Sequence, residues 1–123
     1  SPLEALDGIG PVLLELLIAP RAVALARAAA ADPTGALGAA LSAAGRERVK
    51  PMIEALCQKA LDDRALKGGD AATIADTYLS LLLGDLQIRR AIHAAPPVSK
   101  TQVRARADRA LMLTWRLYSR DQG

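Results

Sequence analysis

Side chains able to do chemistry are few in this 123-residue chain: one histidine (His93), one cysteine (Cys57), one tryptophan (Trp115) and two tyrosines (Tyr78 and Tyr118). A metal site needs several His, Cys or carboxylate ligands at set spacings, and no second His or Cys stands near either candidate, so no metal is expected. His93 falls near the C-terminal end of an expected helix, where the dipole favours the imidazolium. Cys57 sits on an apolar stripe and reads as an inert buried thiol; alone, it forms no internal disulfide, which fits a reducing compartment. There is no Glu-x-x-His pair, no phosphate loop, and no Ser/His/Asp or Cys/His set, so the chain reads as no enzyme and as needing no cofactor. The arginines Arg89, Arg90, Arg104, Arg106, Arg109, Arg116 and Arg120 raise the question of nucleic acid. They fall on several faces without interleaved aromatics, and the net charge of +3 is spread along the chain. They read instead as solvated surface and ion pairs, one expected between Asp85 and an arginine of the last helix.

What remains is recognition by shape. Leu13, Leu17, Met52, Ile53, Leu56, Cys57, Tyr78, Leu82 and Trp115 offer an apolar lining with a few polar tips, suited to an apolar or amphipathic small molecule. The same residues also suit an ordinary core, and the sequence leaves both readings open.

Only helices position these residues. Hydrophobic residues make up 51% of the chain but aromatics 2%, with no Phe, so the core is built from Leu, Ile, Val and Ala. No period-2 strand pattern occurs, no run approaches the roughly 20 apolar residues of a membrane span, and no secretory signal opens the chain. A cytoplasmic protein without membrane contact is expected. Five helical segments follow from the punctuation, forming one domain over 1–123. Ser1 and Glu4 form a capping box for the first, which Gly8-Ile9-Gly10-Pro11 is expected to kink or break. The second runs from Arg21 to about Ala31 and ends at the turn Asp32-Pro33-Thr34-Gly35. The third extends from about Ala36 to Lys67, with Gly45 and Pro51 marking a bend and Gly68-Gly69 its end. Asp70 caps the fourth, which reaches about His93 and contains Gly84, read as a close helix crossing. Pro96-Pro97 stops it, and Ser99 with Gln102 boxes the start of the last.

The fourth segment is apolar nearly all round, which suggests a surface covered by a second chain. Leu83, Leu86, Arg89, Arg90, Val103, Ala107, Ala110, Leu111, Thr114, Leu117 and Tyr118 are the expected homodimer interface.

In order and spacing these segments resemble the C-terminal domain of the TetR family of bacterial transcriptional regulators. The resemblance is carried by Leu81-Leu82-Leu83-Gly84-Asp85-Leu86-Gln87-Ile88-Arg89-Arg90, the Pro96-Pro97 break, the Arg- and Leu-rich last helix ending in Leu117-Tyr118, Leu13 to Leu17 before Pro20, and Ala43 to Val49. It implies an all-α, orthogonal bundle of about five helices that dimerises through its last two. It also implies an effector pocket between the central helices and control of operator DNA by an N-terminal helix-turn-helix headpiece, expected to be absent from this chain. A helical dimerisation or adaptor module without a pocket is the alternative.

Overall fold

A computed structural model describes residues 1–119, and among them stand seven helices: α1 (Pro2–Ile18), α2 (Pro20–Ala31), α3 (Ala36–Ala44), α4 (Arg46–Asp62), α5 (Ala71–Leu83), α6 (Leu86–Ala91) and α7 (Lys100–Tyr118). The chain is all-α as expected. The five segments are all present, and the third and fourth are each divided at a glycine. Among the described residues no single helix is long and apolar enough to cross a membrane.

Local chemistry sets most boundaries. Ser99 Oγ accepts from Gln102 N at 3.1 Å and Gln102 returns its side-chain oxygen to Ser99 N at 2.8 Å, a complete capping box. Asp70 accepts from Thr73 N at 2.8 Å and caps α5; this bond holds its carboxyl below the usual range. The Asp32 carboxylate folds the α2–α3 turn by accepting from the backbone of Thr34 and Leu37. At the first helix only half of the expected box forms: Ser1 Oγ accepts from Glu4 N, while Glu4 turns to the terminal ammonium at 3.7 Å.

Four expectations are corrected. Of the kink or break expected at Gly8-Ile9-Gly10-Pro11, the break does not occur: α1 runs unbroken to Ile18. Apolar burial of Leu6, Leu13, Leu14 and Ile18 on both sides of the proline, about 1.5–3 kcal/mol each, outweighs the roughly 3 kcal/mol a proline costs inside a helix. The third segment ends at Asp62, before Lys67. Arg64 N donates to Leu61 O at 3.0 Å and Ala65 N to Ala60 O at 2.9 Å, a Schellman closure with Arg64 left-handed at φ 62°. Gly84 is no mid-helix crossing: with φ 52° it terminates α5, and α6 restarts beyond it. The arginine of α7 that reaches this turn, Arg106, does not pair with Asp85 but donates to Leu82 O at 2.7 Å and Leu83 O at 2.9 Å.

α5 packs against both α4 and α7, and α1 lies against α7 and α4. Leu6, Leu14, Ile53, Cys57, Ile74, Tyr78, Leu82 and Thr114 are fully buried where these four helices meet. α2 and α3 form a satellite beside this core, with Val23 their one buried side chain.

Candidate functional site

Tyr78 projects from α5 under α1 and donates to Leu6 O at 3.4 Å. α1 comes close at Gly10, where an added Cβ would lie 3.4 Å from the Cβ of Ala107 on α7. Toward the start of α1 and the end of α7, a surface groove of about 810 Å³ opens between the two helices. Leu3, Leu111, Met112 and Trp115 give it apolar walls, and Glu4, Asp7, Asp108 and Arg116 line it with charge. On α7 these positions follow the helical spacing 108, 111, 112, 115 and 116, a stripe beside the one that faces the core. Arg104 bridges Asp7 and Asp108, fastening α7 to α1 at the groove's edge; these carboxylates raise its pKa further. The groove's volume falls within the 300–1,000 Å³ typical of sites for small organic ligands.

Only Trp115 of the nine residues expected to line a pocket lines this groove. Leu13, Ile53, Cys57, Tyr78 and Leu82 pack together in the core, Leu56 lies half-buried against it, Leu17 is half-buried on α1, and Met52 is exposed. Burial pushes the Cys57 thiol up to about 11 and the Tyr78 phenol up to about 12, so both stay protonated at neutral pH. His93 is exposed and left-handed at φ 62°. No cluster of three His, Cys, Asp or Glu able to hold a metal occurs among the described residues.

The residues expected at a dimer interface also divide. Leu86, Val103, Ala107, Ala110, Leu111 and Thr114 are buried in this chain's own core and present almost no surface to a partner. Leu83, Arg90 and Tyr118 are half-buried, and Arg89 and Leu117 are exposed, Leu117 by 59%. Leu113 and Leu117 lie on the flank of α7 away from the groove, with Arg106. Tyr118 Oη shares a 2.9 Å hydrogen bond with Thr77 Oγ1 across the α5–α7 seam. The reading of the sequence missed Leu3, Met112, Asp7 and Asp108. Their signal was the second α7 stripe, hidden because Leu111 belongs to both stripes.

The chain matches the TetR-type family described as AefR-like transcriptional repressor, C-terminal domain, over residues 4–120. No curated protein and no solved structure matches it.

Proposed function

Because the chain belongs to the TetR family, as an AefR-like repressor C-terminal domain, we propose that it is the part of a transcriptional repressor that senses a small molecule and pairs two subunits. Ligand binding here controls operator binding by a helix-turn-helix headpiece of the full regulator. The observation that supports sensing is the 810 Å³ groove, with its apolar walls and charged edge. Its lining suits an apolar or amphipathic effector. Pairing is supported by Leu117 and the half-buried Leu83 and Leu113, apolar surface on α5 and α7 that this chain leaves open. The groove and the pairing surface lie on opposite flanks of α7, so a ligand that shifts α7 against α1 also moves the surface joining the subunits.

The packed core around Ile53, Cys57, Tyr78 and Leu82 favours a second reading, a pairing module that binds no ligand. One experiment separates the two. Trp115 is the only tryptophan and lines the groove, so its fluorescence reports occupancy. A panel of apolar and amphipathic compounds is expected to shift that emission saturably, with calorimetry giving matching affinities. Light scattering is expected to give twice the 12.9 kDa chain mass, and Leu117→Glu to lower it. A dimer with no binding across the panel supports the second reading; a monomer at micromolar concentration overturns the pairing.

A further inference from the structure

We propose that the corner where α1 ends, α6 passes and α7 begins is a second small-molecule site, selective for a monocarboxylate with a compact apolar body; it is separate from the α1–α7 groove and does not rest on it. A cavity of about 340 Å³ opens there, at the lower end of the range for small organic ligands. Ile18 and Val103, both buried core residues, line it together with Pro20 and Pro97. An apolar body gains cover on these side chains, whereas an inorganic anion uses none of them. Three charged side chains line the same cavity: Arg90, Lys100 and Glu15. None of them makes an ion pair among the described residues, so one carboxylate stands against two cations and one positive charge is left uncompensated. Arg90 is the anchor. It is half-buried, and its Nη1 donates to Ala95 O at 2.9 Å, the one hydrogen bond of this guanidinium among the described residues. That bond steadies the planar fork and leaves its other N–H groups for a ligand carboxylate, which an arginine takes with two parallel bonds. The surroundings carry the same sign: segments 16–31 and 86–107, which supply the rest of the cavity, hold seven Lys and Arg and no Asp or Glu. Ser1 and Ser119 stand at the far ends of α1 and α7, roughly 20–30 Å along the helices, so the terminal ammonium does not enter this balance.

The test uses three probes of one shape, cyclohexanecarboxylate, cyclohexanecarboxamide and cyclohexylmethylammonium, read by calorimetry and by backbone amide shifts in nuclear magnetic resonance. The carboxylate is expected to bind about tenfold more tightly than the amide at low salt, a preference that shrinks at high salt, and the ammonium to bind most weakly. Its shift changes are expected to centre on residues 15–20 and 97–103. Lys100→Glu, at an exposed position in the first turn of α7 where a carboxylate does not disfavour the helix, is expected to abolish the preference while leaving the urea midpoint in place. Glu15→Gln, also at an exposed position, is expected to strengthen carboxylate binding about threefold. Arg90→Lys, which keeps the charge but not the fork, is expected to weaken it. Equal affinity for the amide, or tighter binding of the ammonium, overturns the proposal, as does carboxylate binding that Lys100→Glu leaves unchanged. Shift changes centred on residues 108–116 overturn it too, while assigning the probe to the α1–α7 groove and supporting the sensing reading. No binding by the carboxylate at millimolar concentration overturns this site and leaves the groove untouched.

Discussion

The phenolic oxygen of Tyr78 lies 2.5 Å from where a Cβ on residue 10 would sit. Gly10 therefore leaves room for the one polar atom that α5 sends under α1. Elsewhere in a helix, Gly→Ala gains about 1 kcal/mol in propensity. Here the overlap is with a side chain that is fully buried and cannot swing away, and overpacking of that kind costs about 1–3 kcal/mol. Gly10→Ala is expected to be destabilising on balance. Tyr78→Phe loses only the 3.4 Å bond to Leu6 O, worth about 1 kcal/mol or less. With the hydroxyl removed by Tyr78→Phe, the nearest ring atom sits at ordinary contact distance, 3.8 Å, so Gly10→Ala in that background is expected to turn neutral or favourable. Urea denaturation of the four proteins measures this coupling, and an equal cost of Gly10→Ala in both backgrounds would refute it.

The contrast between local and distant chemistry explains what the sequence made legible. Ser99 with Gln102, Asp70 with Thr73 and Asp32 with Thr34 bond within three residues, so their types and spacing specify the caps and the turn. Pro11 misled because the local rule contains no term for the buried leucines on either side of it. The groove was hidden for a similar reason. Leu3 and Met112 are brought together only by the packing of α1 on α7, and periodicity marks both as apolar without telling a wall from a core. On α7, Val103, Ala107, Ala110 and Thr114 satisfy either a partner or their own chain equally well by pattern, and α5 claims that face.

Arg64 offers a test of backbone strain. It closes α4 in the left-handed region at φ 62°, a conformation that costs an L-residue about 1–2 kcal/mol and glycine almost nothing. Glycine gives back part of this through its more mobile unfolded chain. Arg64→Gly is expected to raise stability by about 0.5–1 kcal/mol, whereas Arg64→Ala, which keeps the strain, is expected to leave it nearly unchanged. Thermal melts of both variants decide the matter; equal shifts would trace the effect to the side chain.

Cys57 predicts the alkaline limit of the fold. Its thiol ionises near 9.0 when unfolded but only at about 11 when folded, through burial first and the nearby Glu54 second. A raised folded value means that the contribution is complete below pH 9 and is lost as pH rises through about 11. Urea midpoints are expected to fall between these limits, and less steeply in Cys57→Ala, although that variant starts lower because of its cavity. The same burial predicts that a thiol reagent labels Cys57 at neutral pH only as the protein opens. Prompt labelling of native protein would contradict it.

Arg106 joins the two helices proposed to carry the pairing surface. Its guanidinium donates to Leu82 O and Leu83 O, filling acceptors that the end of α5 leaves without helical partners. Gly84 makes the approach possible, since a Cβ there would lie 2.6 Å from Arg106 Nη2 and would also sit on a left-handed backbone. Arg106→Ala is expected to cost about 1–3 kcal/mol, the range for a hydrogen bond from a charged donor. Arg106→Lys is expected to recover only part, because an ammonium lacks the planar fork that reaches two carbonyls at once. Gly84→Ala is expected to destabilise through both strain and displacement of the guanidinium. If α5 and α7 together form the pairing surface, Arg106→Ala also weakens the dimer, and light scattering over a dilution series reads this separately from unfolding. A variant with unchanged urea midpoint and unchanged dissociation would show that Arg106 holds nothing at this turn.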